Sequence, residues 1–391
     1  MTATAPRTMK AAVLRADGPG LEILEVPRPV PRAGEALVKV IACGVCHTDL
    51  HVMKGEVRFP RPAVMGHEIS GTLVAFGDDT PPTTGLAIGD TVIGAFIMPC
   101  GDCPACSRGR DDLCAEFFGQ NRLNGTLYDG ESRLSMPDGS FLAMYSMGGL
   151  AEYAVVPITA LTRLPDDLDP VTSAVLGCAA FTAYGAVHRA GDVRPGEAVA
   201  IVAVGGVGSG VVQMARAAGA DPIIAIDVAD DKLEAAMALG ATHTVNSRET
   251  DAATAVREIT GGLGHGLGVD VAFEALGHPA TFRQAIGLLA DGGRMVAIGI
   301  AAGDAAAEVE ITPLVRRGYT ITGSFGARTR EDLPAVVDIA EAGGFDTARL
   351  VTRRYTLDNA DAAYQALARG EITGRAVVVM DRPDLRTKRE Q

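Results

Sequence analysis

Short apolar runs broken by Gly and Pro dominate the first half of the chain, at 11–14, 35–41, 69–76, 91–96 and 151–156. Runs of this length and composition between turn formers read as strands, so residues 1 to about 180 predict an irregular, mostly β domain. From 198 the texture changes: AVAIVAV, DPIIAIDV, HTVN, GVDVAFEALG and RMVAIGI alternate with the helical segments GVVQMARAAG, DDKLEAAMALG and TFRQAIGLLA. Such alternation implies a parallel sheet covered on both faces, and a run at 320–325 supplies a sixth strand. Beyond Gly326 the pattern predicts helices near 331–342 and 358–369, then a strand at 375–380 that returns to the first domain. The division expected is 1–180 with 325–391 against 181–324, and the terminal DRPDLRTKREQ reads as a frayed polar tail.

Composition narrows the class. The 391 residues are 47% hydrophobic and 21% charged, as in a globular protein. The net charge of −13 repels phosphate backbones and anionic lipid, which argues against nucleic-acid and membrane partners and for a small-molecule substrate. No secretory apolar region opens the chain, and the uncharged stretch 198–215 holds four glycines, so a cytoplasmic location is expected. Seven cysteines without an export signal point to metal or catalytic thiolates rather than a disulfide framework.

Cys100, Cys103, Cys106 and Cys114 form a C-x2-C-x2-C-x7-C array. Four such thiolates can surround one tetrahedral Zn²⁺ and leave no open position, a structural site; a [4Fe-4S] cluster is the rival, although its usual spacing differs. Cys43, Cys46 and Cys178 remain, beside the strings CGVCHTDLH and GHE. Cys46, His67 and Cys178 would give the three protein ligands of a catalytic zinc, with Asp49 and Glu68 placed to orient them. Cys43 reads as a buried small residue, and His188, His243, His265 and His278 as ordinary histidines. In AVAIVAVGGVGSG the dinucleotide fingerprint appears as Ala203-x-Gly205-x-x-Gly208, with Gly206 and Val207 inside the turn. Ala203 in place of the first glycine costs little if its φ stays negative. Asp227, nineteen residues past Gly208, would accept hydrogen bonds from the adenosine ribose, and with no Arg after it NAD is favoured over NADP.

GVCHTDLH, GHEISG, the four-cysteine loop, LGCAAFTAYGAV and DVADDKL, in that order, resemble the zinc-dependent medium-chain alcohol dehydrogenases over most of the chain. The resemblance implies a GroES-like, mostly β catalytic domain beside a doubly wound, six-stranded Rossmann domain. It implies NAD and two zinc ions per chain, the catalytic one on Cys46, His67 and Cys178. It places His47 and Arg375 near the pyrophosphate, Lys232 at the ribose, Thr182 and Val207 against the nicotinamide, and 275–277 and 298–300, with Ala275, Ile298 and Ile300, at the carboxamide. Thr48 and His51 would form the proton relay from alcohol to water. Val57, Phe96, Met144, Tyr145 and Ile300 would line an apolar channel, with Arg58 at its mouth. Phe118 stands where glutathione-dependent formaldehyde dehydrogenases carry an Arg, which favours an ordinary primary or secondary alcohol over a thiol adduct. The segment 119–140, absent from shorter and often tetrameric members, favours a homodimer. The alternatives are a thiol adduct, polyol or hydroxyacyl thioester as substrate, or a non-catalytic NAD- and zinc-binding sensor; the last has no need of the relay residues.

Overall fold

The computed structural model describes residues 7–18, 20–80, 85–263, 267–301 and 303–380. The terminal DRPDLRTKREQ and His265 lie outside the described residues. The chain forms two compact units, Met1–Gly177 with Arg353–Gln391, and Cys178–Thr352.

The first unit is built on the strand Glu35–Val45, in which Lys39 alone is exposed. Burial of both faces explains its nearly continuous apolar sequence, EALVKVIACGV. It pairs antiparallel with Ile69–Phe76, Tyr153–Pro157 and the returning strand Arg375–Val379, the last in the register Ala376 to Val45 and Val379 to Ala42. Register shifts at Leu37/Val38 and Val40/Ala42 bend this strand. Its last residues lead directly into the helix His47–Met53. A second sheet runs in the order Leu21–Pro27, Thr8–Leu14, Ala63–Val64, Phe141–Met144, Leu134–Ser135. The segment 119–140, read from sequence only as a polar insertion, is pinned by a buried ion pair: Arg133 Nη2 and Nε meet Glu35 Oε1 and Oε2 at 2.6 and 2.9 Å.

The second unit is a six-stranded parallel sheet in the order His243–Asn246, Ile223–Asp227, Val199–Val202, Val269–Glu274, Leu289–Ala297, Thr320–Gly323. This 3-2-1-4-5-6 order is that of the Rossmann fold. All four residues of Val199–Val202 and all five of Ile223–Asp227 are buried, because helices cover both faces. Each fully buried Val or Ile there contributes roughly 1.5–3 kcal/mol of transfer free energy.

The chain returns to the first unit at Arg353, not at the expected 325. Helix Thr329–Glu341 stays with the second unit because its fully buried Asp332 receives Arg189 Nη2 at 2.5 Å. A Cβ on Gly185 would also stand 1.9 Å from Gly326 O, so these backbones are packed face to face. Further on, Asp346 N–H donates to Gln213 Oε1 at 2.6 Å. Among the described residues, no single helix is long and apolar enough to cross a membrane.

Candidate metal and nucleotide sites

The loop carrying Cys100, Cys103, Cys106 and Cys114 folds back on itself through left-handed Gly101 and Gly109, at φ 94° and 70°. Its four sulfurs all lie within 4.8 Å of one another. Backbone N–H groups point at them: Cys100 N and Phe117 N donate to Cys114 Sγ at 3.3 and 3.4 Å, and Cys103 N to Cys100 Sγ at 3.4 Å. Burial pushes the Cys106 thiol up to about 12 and Cys100 upward as well. Cys103 is pulled down to about 6, its partial burial outweighed by N–H groups of Cys106 and Ala115. Four sulfurs this close cannot all ionise without a cation, and a closed tetrahedral thiolate shell fits them.

A second cluster joins Cys46, His67, Glu68 and Cys178, with all ligand atoms within 4.8 Å and all four residues buried. Cys46 follows the central strand and caps the helix His47–Met53, whose first turn carries buried Asp49. Asp49 Oδ1 accepts Gly66 N–H at 3.1 Å and lies 3.2 Å from His67 Nδ1, while Oδ2 accepts the Tyr364 hydroxyl at 3.1 Å. Gly66 must be glycine, since its φ is 96° and a Cβ would stand 2.7 Å from Cys43 Sγ and Leu150 N. Gly177, the last residue of the first unit, accepts Phe96 N–H at 3.0 Å and so fixes where Cys178 begins.

The structure brings Glu68 into this donor set rather than merely beside it. Gly44 makes the room: a Cβ there would sit 2.2 Å from Glu68 Oε2. Glu68 Oε1 is paired with Arg375, yet buried Oε2 has no hydrogen-bond partner among the described residues. For His67, burial opposes the charged ring, but Asp49 and Cys46 prevail and push it up to about 9. Two buried thiols, two buried carboxylates and a proton-holding imidazole, balanced by one arginine, are chemically suited to a divalent cation that displaces protons as it binds.

Around this cluster, Thr48 Oγ1 is 3.5 Å from Cys46 Sγ. His51 Nδ1 is paired with Glu56, a partner that spacing alone does not reveal. The Phe96 and Tyr145 rings stand edge-on to His67 with centroids at 6.0 and 5.9 Å. Met144 is buried, Val57 and Ile300 are exposed, and Phe118 packs on Phe117 at 5.2 Å. His47 is exposed at the helix start, and the guanidinium of Arg375 is buried against Glu68. Cys43 is fully buried, and burial pushes its thiol well up. His188 stacks on Tyr184 at 4.5 Å, His243 meets Thr242 Oγ1 at 2.9 Å, and His278 Nδ1 caps its helix by accepting Ala280 N–H at 3.2 Å.

In the second unit Gly205 precedes the helix Gly206–Ala217, whose first turn holds Val207 and Gly208. Gly208 lets the helix approach the strand, since a Cβ would stand 2.1 Å from Ala203 O. The condition of a negative φ is not met at Ala203: its φ is 71°, the left-handed region, because the turn keeps the conformation that a glycine fingerprint demands. Asp227 ends its strand with Oδ2 accepting Val204 N–H at 2.9 Å and Oδ1 accepting Val228 N–H at 2.7 Å. Its carboxylate is thus aimed by the loop itself, with lone pairs to spare. Lys232 is half-buried on the following helix, and Thr182 and Ile298 are buried. The 275–277 loop is held by Glu274, whose Oε1 accepts Leu276 N–H at 3.0 Å, Gly277 N–H at 2.9 Å and the Thr281 hydroxyl at 2.7 Å. Ala275 N–H donates to Val202 O at 3.0 Å. This loop touches 298–300, as a Cβ on Gly299 would lie 1.9 Å from Gly277 N.

Two family models match, an alcohol dehydrogenase GroES-like domain over 32–166 and a zinc-binding dehydrogenase over 206–342. An alcohol dehydrogenase of Geobacillus stearothermophilus is 33% identical over 95% of this chain and 98% of its own. An S-(hydroxymethyl)glutathione dehydrogenase of Synechocystis sp. is 33% identical over 93% of this chain and 97% of its own. The crystal structure of benzyl alcohol dehydrogenase from Acinetobacter calcoaceticus aligns at a TM-score of 0.88 with 30% identity, over 96% of this chain and all of that one. The chain belongs to the zinc-dependent medium-chain alcohol dehydrogenase family, and is an oxidoreductase of that family.

Proposed function

We propose that this enzyme oxidises a primary or secondary alcohol to an aldehyde or ketone with NAD⁺ as hydride acceptor. The observation that carries the reading is the buried set Cys46, His67 and Cys178 with the partnerless Oε2 of Glu68. These residues would hold one zinc, oriented by Asp49 and Glu68, and the four-cysteine loop a second, structural one. A zinc ion there supplies Lewis acidity that lowers the pKa of an alcohol, and the nicotinamide accepts the hydride. Thr48 Oγ1 takes up the alcohol proton, and His51, half-exposed and held by Glu56, releases a proton to water. Phe96 and Tyr145 keep the surroundings of His67 apolar. Asp227, with no arginine after it, favours a free ribose hydroxyl over a 2′-phosphate and so NAD over NADP. The cofactor contacts assigned to His47, Thr182, Gly205, Gly206, Val207, Gly208, Lys232, Ala275, Ile298, Ile300 and Arg375 belong to the same reading.

A second reading, oxidation of a thiol adduct, is favoured by the likeness to the Synechocystis protein. Phe118 argues against it. For assembly we infer a homodimer, supported by the outermost strand Thr320–Gly323 and the exposed Ile311 and Val315 nearby, a free sheet edge with apolar flanks. The test of function is zinc content per chain together with NADH formation over aliphatic, aromatic and secondary alcohols and S-(hydroxymethyl)glutathione. Two zincs with alcohol-linked turnover are expected. Turnover of the thiol adduct alone would establish the second reading, and NAD and zinc binding with no turnover would leave a sensor.

A further inference from the structure

Arg133, Arg189, Arg294 and Arg375 have side chains at most 30% exposed, and each holds a carboxylate. Arg122 is half-buried and, like Arg28 over the Tyr153 ring, makes no ion pair among the described residues; its side chain hydrogen-bonds to that of Tyr145. The guanidinium carbon lies over the Tyr145 ring, 4.2 Å from its centroid. In a chain with 48 acidic residues, the absence of an anion beside a half-buried cation is not a matter of scarcity.

The position is built rather than accidental. Arg122 closes the wide helical turn Phe117–Arg122, a form of helix often found at functional sites. Its neighbour Asn121, fully buried, donates from Nδ2 to Ser146 O at 3.0 Å and to Thr126 O at 3.1 Å. Met144 N–H donates to Gly125 O at 3.0 Å, which sets the same segment in register with 144–146. A guanidinium over a ring keeps edge N–H donors for further partners, in the fork that matches a carboxylate. The same Tyr145 ring that Arg122 covers stands 5.9 Å from the His67 ring, so the guanidinium carbon lies within about 10 Å of that ligand ring. The Tyr145 hydroxyl is buried.

We infer that Arg122 is a specificity-determining residue, a carboxylate-binding subsite one aromatic ring away from the Cys46–His67 centre, which selects alcohols bearing an anionic group across a spacer about the size of a phenyl ring. The inference rests on the alcohol-oxidising reading above and names the substrate class within it.

The test is calorimetric binding of 4-(hydroxymethyl)benzoate and benzyl alcohol to the zinc-loaded enzyme, in wild type, Arg122→Met and Arg122→Lys. Binding is a readout that does not require turnover. The acid is expected to bind wild type more tightly than benzyl alcohol by about tenfold or more, the usual worth of a charge-assisted pair. That preference is expected to vanish in Arg122→Met, to return in part in Arg122→Lys and to shrink with added salt. Equal affinity of wild type for the two alcohols, or a preference that survives Arg122→Met in a protein of unchanged melting temperature, would overturn the inference. Turnover with NAD⁺ is measured alongside on benzyl alcohol: its absence would count against the alcohol reading, whereas turnover with affinities blind to Arg122 would count against this inference alone.

Discussion

Tyr364 donates its hydroxyl to Asp49 Oδ2 at 3.1 Å across 315 residues of sequence, and Asp49 Oδ1 lies 3.2 Å from His67 Nδ1. The returning part of the chain therefore orients a candidate metal ligand through one carboxylate. Burial, with Asp49 next, holds the Tyr364 pKa well up, so it stays a donor. Partners of this kind are worth about 10–100-fold in metal affinity. Asp49→Asn is expected to weaken zinc binding within that range, and Tyr364→Phe by about tenfold, near its lower bound. Competition against a chelator checks both, with circular dichroism showing the fold intact. Unchanged zinc affinity in both variants would remove Asp49 from the site.

The Thr48 and His51 assignment has a graded consequence. Thr48→Val keeps the shape but removes the hydroxyl beside Cys46 Sγ, and kcat is expected to fall by about 10²-fold or more with zinc content unchanged. Glu56→Gln is milder. Glu56 is paired with His51 Nδ1 and, held by it, lies below its ordinary pKa; as the amide it no longer fixes which ring nitrogen carries the proton. A several-fold loss of kcat that high buffer concentration restores is expected, because buffer substitutes for a proton acceptor at the surface. Equal loss with and without buffer would mean that Glu56 only shapes the loop.

Ala203 occupies a left-handed conformation at φ 71° where the fingerprint calls for glycine. A non-glycine residue there carries roughly 1–2 kcal/mol of strain. Glycine relieves that strain but costs about 0.4–1 kcal/mol through the unfolded chain. Ala203→Gly is therefore expected to stabilise the protein by about 0.5–1 kcal/mol, seen as a small rise in the urea midpoint at constant slope, and to tighten NAD binding. A lower midpoint would show that the turn relaxes around alanine at no cost.

Periodicity and spacing read much of this molecule in advance. The central strands after 198 were visible as apolar runs and the four-cysteine loop as a ligand spacing, because both signals are local, whereas Cys46, His67 and Cys178 were joined through the family resemblance. The supports of the sites were not visible. Tyr364 and Asp49 meet only once Arg375–Val379 has paired with Glu35–Val45, and the Glu35 and Arg133 pair spans 98 residues. Glu56 and Glu274 were near their partners in sequence, yet an acidic residue beside a loop has no pattern that separates a brace from a solvated charge. Ala203 shows the remaining gap, since its identity left the sign of φ open and the turn imposed a positive one. The return at Arg353 rather than 325 was hidden for the same reason, being decided by Arg189 and Asp332.

Arg133 makes the acid sensitivity of the first unit predictable. It meets Glu35 at 2.6 Å and Asp129 at 2.7 Å, with Arg32 adding a contact to Asp129 at 2.6 Å. Partial burial alone would raise the Asp129 pKa, but Arg133 and the Glu131 N–H bring it down to about 2. A carboxyl depressed in the folded state contributes stability that is fully present above its unfolded pKa, near 3.9, and lost as pH falls through about 2. Arg133→Met leaves Glu35 buried without its partner, a loss of about 3–5 kcal/mol at neutral pH. The stability gap between wild type and this variant is expected to hold from pH 7 to about 5 and to narrow as pH falls toward 2, because protonation removes from wild type what the substitution already removed. Urea midpoints across that range measure it. A gap that stays constant down to pH 2 would mean that Arg133 acts through packing of its stem and not through charge.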